Sequence, residues 1–260
     1  MPESFYVPLA PNLFASTKHT RGPWGPEYQH GGPPASLLGR AIERVNDRTD
    51  ASVARVTFEI LRPVPVSELR VTTDLVRPGR KVEMVEASLW AGETEVMKAR
   101  AWRVRTTELD LPEPDRAPLE PPSAGIPTEP LPTEYEFYLH AMEARSLHGG
   151  FTEPGPATTW FRMRHPLLPD EPVSPLTRVL IAADSASGIS GVLDWREWIF
   201  INTDLTVQLH RMPVGEWVCL DADTTIERNG VGVAASRVHD EMGPVGQTLQ
   251  TLYVARREDG

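Results

Sequence analysis

Hydrophobic and polar positions in the first half of the chain follow the pattern of a helix and then four strands. Apolar residues recur at helical spacing from Leu37 to Val45, after a Gly/Pro-rich loop that begins at Arg21. Residues 56–60 then alternate between apolar and polar, as a strand with one buried face does. Three further strand-like runs follow, at 69–76, 82–90 and 96–104.

The second half repeats this order. Ser174 and Pro175 form a typical helix start, with a capping side chain followed by proline in the first turn. An alternating strand at 205–209 follows, and then strand-like runs at 217–225, 231–238 and 247–254. The pattern predicts helices near 32–46 and 175–187. Residues 56–62 also align with 205–211, which favours an internal duplication.

A proline-rich stretch lies between the two halves. Eight of the 22 residues from Leu111 to Pro132 are proline, which excludes a helix interior or a central strand because proline lacks an N–H and fixes φ. We therefore predict an N-terminal unit, a connector and a C-terminal unit, at 1–107, 108–133 and 134–260. A short helical run is predicted from Tyr135 to Leu147, with His148-Gly149-Gly150 as its stop.

Each unit is predicted to be α+β, with antiparallel strands around one long helix and an N-terminal strand before it. A single unit would leave one edge of its sheet open, and edge-to-edge pairing of two units would close it. We therefore expect one continuous antiparallel sheet, each half of which wraps a helix.

Composition narrows the possible partners and location. The formal net charge of −10 argues against nucleic acid, although a local basic patch could bind a small phosphate-bearing ligand. No apolar run approaches the roughly 18 residues of a membrane span, and residues 1–4 lack the positive charge and apolar region of a secretion signal. The single cysteine, Cys219, precludes an intrachain disulfide and is interpreted as a core residue. A cytoplasmic protein is expected.

Asp184 is the most informative polar residue. It follows Leu180 by four positions and Leu176 by eight, so it lies at the border of the buried stripe of the second predicted helix. A carboxylate that loses water needs hydrogen-bond partners or a chemical role. The alternative is that Asp184 caps a local turn where the helix ends.

Two amides are weaker candidates. Gln250 shares a face of the last predicted strand with Leu252 and Val254, and a buried amide must have its hydrogen bonds satisfied. Asn202 precedes the strand at 205–209, but asparagine is common at strand starts.

His30-Gly31-Gly32 directly precedes the first predicted helix. Glycines let a ligand approach the backbone, and the N–H groups of a helix start can bind an anion or polarise a carbonyl. The alternative is a tight turn, and His30 could donate a hydrogen bond, act as a base or stabilise the loop. The seven histidines show no paired metal-ligand spacing, and the sequence has no nucleophile elbow, P-loop or dinucleotide fingerprint.

The sequence resembles the thioesterase-like superfamily, specifically the double-hotdog type II acyl-CoA thioesterases. The resemblance covers roughly residues 14–106 and 134–256, and its most specific stretches are 28–32, 61–63, 183–185, 209–211 and 248–250. It implies a tandem hotdog fold and hydrolysis of fatty acyl-CoA to free acid and CoA, within lipid metabolism and without a metal or organic cofactor. An acyl-carrier thioester is an alternative substrate, and a homodimer or larger assembly is expected.

In that family an aspartate on the second hotdog helix, a small hydroxyl residue before the next strand and a glutamine on the last strand activate a water. Asp184 and Gln250 match the first and third. Alignment without gaps places Asn202 at the hydroxyl position, which departs from the pattern, and Thr203 lies beside it, so either residue could replace the family hydroxyl. The resemblance thus implies that the catalytic residues are Asp184, Asn202 and Gln250. It implies that the substrate-binding residues are His30, Gly31, Gly32 and Thr203. Backbone N–H groups near Gly31 and Gly32 would bind the oxyanion that forms from the thioester carbonyl.

Two other functions remain open at this point. A hotdog enoyl-CoA hydratase or dehydratase would use a histidine before one helix and a carboxylate on the partner helix, which His30 and Asp184 could imitate. A non-catalytic acyl-thioester binding module would need no base at all, and the departure at Asn202 leaves room for it.

Overall fold

The computed structural model describes residues 3–112, 114, 116–130 and 133–257, and these form an α+β fold. Its centre is one sheet of 14 antiparallel strands, accompanied by a two-stranded ribbon. The first half contributes β1 (Tyr6–Ala10), β2 (Leu13–Ser16), β3 (Arg21–Gly22), β4 (Gly25–Gln29), α1 (Gly32–Glu43), β5 (Ala51–Ile60), β6 (Glu68–Arg77), β7 (Val82–Ala91) and β8 (Thr94–Arg105).

The second half contributes the remaining helices and strands. Four short 3-10 turns lie along the chain between these elements. The elements are β9 (Ile126–Pro127), β10 (Met142–Gly150), β11 (Glu153–Met163), α2 (Pro175–Ala183), α3 (Ala186–Ile189), β12 (Trp198–Asn202), β13 (Asp204–Leu209), β14 (Val218–Ile226), β15 (Val231–Asp240) and β16 (Gly243–Arg256). The 3-10 turns are Lys18–Thr20, Val45–Asp47, Pro122–Ala124 and Tyr138–Ala141.

All eight strands predicted from alternation are present, and the sheet is continuous from one half to the other. Its order is β1-β2-β6-β7-β8-β5-β13-β16-β15-β14-β11-β10-β9, with β12 also paired to β16. The halves join where β5 pairs with β13, so neither strand is left as an edge. Proline-containing β9 lies at the outer edge, where a missing N–H costs no ladder bond.

Equivalent positions in the two halves are 149 residues apart. Thr57 lies opposite Thr206 across the β5–β13 junction, and their Oγ1 atoms are 3.1 Å apart. Val85 pairs with Ala101 in the first half, as Ala234 pairs with Gln250 in the second. The two halves therefore share one strand register, related by a local pseudo-two-fold through the threonine pair, as expected of a duplication.

The second predicted helix is shorter than expected. α2 ends at Ala183, and the chain turns at Asp184 and Ser185 before the single turn of α3, so a continuous helix over 175–187 was wrong. The N–H of Gly188 donates to the carbonyl of Ser185, and the Asp184 carbonyl accepts from Gln250 Nε2 at 3.3 Å. A side chain from the sheet thus replaces a helical partner at this point. α1 likewise ends at Glu43, short of residue 46.

The helix predicted from Tyr135 to Leu147 was also wrong. Only a 3-10 turn forms there, and β10 then pairs with β11 as a hairpin. The apolar residues of this stretch serve a strand, which a short apolar run cannot distinguish from a helix. Gly149 and Gly150 have φ of 57° and 134° and belong to the irregular end of this hairpin.

The two longer helices pack against each other and against the strands of their own halves. α1 contacts β5 to β8, whereas α2 contacts β11, β13 and β14. One buried apolar cluster includes Leu37 and Leu38 of α1 together with Val179 and Leu180 of α2. Within the described residues, no helix has the length and apolar character needed to cross a membrane. Cys219 is buried, as predicted, and burial raises the pKa of its thiol.

Arg103 on β8 anchors the end of α1. Its side chain is fully buried and donates to Glu83 Oε1, and to the carbonyls of Ile42, Glu43 and Val45 at 3.0, 3.1 and 2.8 Å. Carbonyls at a helix C-terminus have no partner within the helix. A single guanidinium therefore satisfies both a buried carboxylate and the last turn of α1.

Arg103→Met should lower the free energy of unfolding by about 3 kcal/mol, because it leaves buried oxygens without donors. Arg48 would still pair with Glu83 Oε2, at 3.0 Å, in this variant. The expected loss of stability is therefore near the low end of the range for a broken buried ion pair. Urea denaturation would measure it. The matched control is Arg100→Met, which removes an exposed pair with Glu86 on the same strand and should cost less than about 1 kcal/mol. Equal losses would contradict the assignment.

His239 should make stability depend on pH. Neither ring nitrogen has a partner among the described residues, and burial lowers the pKa of the imidazole below 6.5. The unfolded chain therefore binds a proton at a higher pH than the folded chain, so the free energy of unfolding should fall as the pH drops below about 6.5. His239→Phe should reduce this slope, and His148→Phe on the surface is the matched control. Denaturation between pH 5 and 8 would test this.

Candidate active site

The carboxylate of Asp184 is the centre of a buried polar cluster. Asp184 is the C-terminal cap of α2 and is 8% exposed. Its Oδ1 accepts hydrogen bonds from Asn202 Nδ2 at 2.8 Å and Gln250 Nε2 at 3.1 Å. Its Oδ2 accepts from the backbone N–H of Gly31 at 2.9 Å. Donors from two strands and from the start of α1 thus converge on one side chain.

Gln250 is held rigidly in β16 beneath the turn that follows α2. It is fully buried, and its Oε1 accepts from the backbone N–H of Ser187 at 3.1 Å. Its Nε2 donates to both the carboxylate and the main-chain carbonyl of Asp184. This amide orientation is the one in which nitrogen faces carboxylate oxygen. Gln250 therefore fixes the position of Asp184.

Asn202, and not Thr203, reaches Asp184. Asn202 ends β12, whose pairing with β16 brings it opposite Leu252, two residues beyond Gln250. Thr203 is the first residue after β12, and its hydroxyl donates to Asp204 Oδ1 at 3.3 Å in an exposed position. The sequence left open which of the two residues stands at the hydroxyl position of the family. The amide of Asn202 makes the contact.

His30 lies beside the same carboxylate. Its Nδ1 is 3.3 Å from Asp184 Oδ2 and accepts the backbone N–H of Gly32 at 3.2 Å. Burial lowers the pKa of the imidazole, and the Asp184 carboxylate only partly opposes this. A neutral imidazole is therefore favoured near pH 7. A proton on Nδ1 would pair with Asp184 and release the Gly32 N–H, so the two neighbours of this nitrogen compete.

Gly31 and Gly32 are required by the close approach of α2. A Cβ on Gly31 would lie 2.7 Å from Asp184 Oδ2, and a Cβ on Gly32 would overlap the backbone oxygen of Ile181. Gly31 has an ordinary helical φ of −68°, so conformational freedom is not the reason for glycine there. The sequence predicted that these glycines let a ligand approach the backbone. In the structure they let the C-terminal end of α2 approach it.

Tyr138 also lies at this cluster, although its sequence context did not predict it there. Its ring stacks on His30 with centroids 4.0 Å apart and planes 2° apart, and its hydroxyl donates to the Ile181 carbonyl at 2.7 Å. Ser185 Oγ lies 3.3 Å from the same hydroxyl. Burial raises the pKa of the phenol, so Tyr138 remains protonated and acts as a donor. The only sequence signal was the apolar pair Phe137-Tyr138, which was assigned to a helix that does not form.

The opposite end of the helix pair carries different chemistry. There Ser174, the N-cap of α2, donates to Glu43 Oε2 at the end of α1 at 2.7 Å. The position equivalent to Gln250 is Ala101, which has no polar side chain. Among the described residues, the duplication therefore produces one Asp–Asn–Gln cluster and not two.

Two family profiles match the chain. The profile of the acyl-CoA thioesterase N-terminal domain matches residues 20–104, and that of the C-terminal domain matches residues 112–254. The chain belongs to the acyl-CoA thioesterase family. This confirms the resemblance noted in the sequence and makes the protein a thioester hydrolase.

Solved structures of other proteins have the same hotdog thioesterase fold. A candidate thioesterase II from Thermobifida fusca has a TM-score of 0.74 at 15% identity, over 96% of this chain and 95% of its own. A candidate thioesterase from Novosphingobium aromaticivorans has a TM-score of 0.73 at 18% identity, over 96% of this chain and 98% of its own. An acyl-CoA thioesterase II from Mycobacterium marinum has a TM-score of 0.68 at 16% identity, over 98% of this chain and 96% of its own. No curated protein matched. At these identities the likeness establishes the fold only.

Gly31→Ala should reduce acyl-CoA hydrolysis while the protein stays folded. The added methyl would push the Asp184 carboxylate away from Asn202 and Gln250, and misplacement of a reacting group by about 1 Å can cost up to roughly 100-fold in rate. We expect kcat to fall roughly 10- to 100-fold. Gly191→Ala is the matched control, because its Cβ would come no closer than 3.5 Å to Ser187. Unchanged turnover in Gly31→Ala would show that this contact is dispensable.

Proposed function

We propose that this thioesterase hydrolyses fatty acyl-CoA to free acid and CoA, and that Asp184 is the general base that activates water. The convergence of Asn202, Gln250 and Gly31 on one buried carboxylate carries the proposal. Their side chains and backbone come from three separate elements, and each donor fixes the same group. Such convergence is typical of a preorganised site.

The chemistry needs only a positioned base and a water. The water oxygen forms a bond to the thioester carbonyl carbon while Asp184 takes its proton. The tetrahedral intermediate then collapses, the C–S bond breaks, and the departing CoA thiolate receives the proton. A thioester carbonyl is electrophilic enough for this route to proceed without a covalent nucleophile.

Asn202 and Gln250 are proposed to act by orienting the base. Both amides donate to Oδ1 of Asp184, which leaves Oδ2 as the oxygen for proton transfer once substrate is bound. Hydrogen bonds to the charged form of a carboxylate also stabilise that form. Asn202 would thus do with an amide what the family does with a hydroxyl.

The start of α1 is proposed to bind the thioester carbonyl. The backbone N–H groups of Gly31 and Gly32 point toward Asp184 and His30, and a helix N-terminus carries partial positive charge. A substrate oxygen that took either N–H from its present partner would place developing negative charge there. A neutral His30 adds no net charge to this cluster, and the exposed Thr203 would contact substrate at the outer side of the cluster.

We also propose that the substrate is a fatty acyl-CoA or an acyl-carrier thioester, and that the protein acts in lipid metabolism in the cytoplasm as a homodimer or larger assembly. The sheet offers β1 and β9 as its outer strands for contacts between copies. Light scattering at micromolar concentration would test the assembly, and a strict monomer would count against it.

Asp184→Asn should lower kcat by about 10²- to 10⁴-fold with little change in KM, because the amide keeps the shape but cannot accept the proton. The measurement is release of CoA thiol across acyl chains from C2 to C18. Circular dichroism and thermal unfolding would establish that the variant folds. Near-wild-type turnover would remove Asp184 from the role of base.

Variants at the amides test orientation separately from base chemistry. Gln250→Ala should lose less activity than Asp184→Asn, because the Asn202 and Gly31 contacts would remain. Asn202→Ser introduces a hydroxyl of the kind the family uses, and we expect it to retain more activity than Asn202→Ala. Equal activity in these two Asn202 variants would contradict a donor role for the side chain.

The same variants distinguish hydrolysis from the hydratase alternative. The contact between His30 and Asp184 is the feature that a hydratase would need. Hydration of 2-enoyl-CoA should therefore be followed in parallel with thiol release. We expect thiol release and no hydration. Hydration that disappears in Asp184→Asn would favour the hydratase, and tight acyl-CoA binding without turnover would favour a binding module.

A further inference from the structure

Three metal-ligating side chains from distant parts of the sequence meet on the side of the molecule where the chain begins. They are Glu3, His19 and His165, which lie ahead of β1, in the 3-10 turn Lys18–Thr20 and in the segment after β11. Each offers one ligand atom, and these atoms all lie within 4.8 Å of one another. The spacing along the chain gave no sign of this cluster, because its members come from both halves.

Both imidazole rings lie close to the same carboxylate oxygen of Glu3. His19 Nε2 lies 3.4 Å and His165 Nε2 lies 3.6 Å from Glu3 Oε2. Ligands at about 2.1 Å around a tetrahedral ion are separated by about 3.4 Å, which these distances approach. The two rings are also stacked, with centroids 4.4 Å apart and planes 25° apart. Each imidazole nitrogen therefore lies close to the distance from Glu3 Oε2 that two ligands of one ion would have.

Backbone hydrogen bonds hold the three segments together. The N–H of Phe5 donates to Pro166 O at 3.1 Å, and that of Tyr6 donates to Leu167 O at 2.9 Å. Thr17, two residues before His19, binds the segment that follows Glu3: its backbone N–H donates to Phe5 O at 3.0 Å, and its Oγ1 donates to Ser4 O at 2.7 Å. His19 itself is buried. The ligand atoms are thus brought together by main-chain structure and do not depend on the side chains alone.

The charges around the cluster leave one carboxylate oxygen free for a cation. Lys18 Nζ lies 3.5 Å from Glu3 Oε1 and is paired with Glu136, so it engages the other oxygen of Glu3. Glu3 Oε2 faces only the two histidines among these groups. Two imidazole nitrogens and one carboxylate oxygen suit borderline transition metals better than Mg²⁺ or Ca²⁺, which prefer oxygen ligands alone.

We propose that Glu3, His19 and His165 bind one divalent transition metal ion of the Zn²⁺ class, with solvent completing the coordination. The ion would join the start of the chain to the second half as a structural clip. Thr20, next to His19, accepts the N–H of His30 at 2.9 Å, so the clip would also steady the loop that enters the active site. It takes no part in the hydrolysis proposed above.

Calorimetric titration of untagged, EDTA-treated protein with Zn²⁺ tests this site. We expect one ion per chain with a Kd in the micromolar range or tighter. His165→Ala and Glu3→Gln, both at partly exposed side chains, should each weaken binding at least about 10-fold. His148→Ala, an exposed histidine elsewhere, should bind as the wild type does.

Two further readouts make the outcome unambiguous. Saturating Zn²⁺ should raise Tm in the wild type and not in His165→Ala, and Co²⁺ should give the visible spectrum of a nitrogen–oxygen site without a thiolate band from Cys219. Asp184→Asn should bind Zn²⁺ as tightly as the wild type, so failure of the catalytic proposal would leave this one standing. Binding below one ion per five chains, or equal affinity in His165→Ala, would overturn it.

Discussion

Burial of the Asp184 carboxylate is the constraint on which the site depends. A charge that is only 8% exposed is costly unless donors surround it, and Asp184 obtains them from β12, β16 and the first turn of α1. This requirement explains why α2 stops at Ala183 and why glycine is needed at position 31. The position of the Asp184 carboxylate and the packing of two helix ends are therefore one structural feature.

The duplicated fold contains two such junctions between helix ends, but among the described residues only one of them carries the Asp–Asn–Gln cluster. Equivalent strands keep the same register 149 residues apart, so the scaffold is repeated closely. The side chains are not: Gln250 corresponds to Ala101, and the second junction is a Ser174–Glu43 hydrogen bond. Duplication thus gives a continuous sheet without open central edges, and divergence of a few side chains confines the Asp–Asn–Gln cluster to one end.

Aromatic and imidazole groups link this end to the rest of the molecule. Tyr138 stacks on His30 and donates to Ile181, so the turn before β10 supports both the loop before α1 and the last turn of α2. Thr20 accepts the N–H of His30 from the other side. The site therefore rests on segments from both halves, and neither half contains all of it.

The sequence by itself determined the eight alternating strands and the family, and it singled out Asp184 and Gln250 as candidates, because period-two alternation and short motifs are local or shared by relatives. Only the tertiary structure decided that Asn202 and not Thr203 reaches the carboxylate, that residues 142–150 pair as a strand, and that the glycines before α1 accommodate α2. Those outcomes depend on which segments meet in space. Side chains far apart in sequence, such as Tyr138 and His30, leave no periodic signal of their contact.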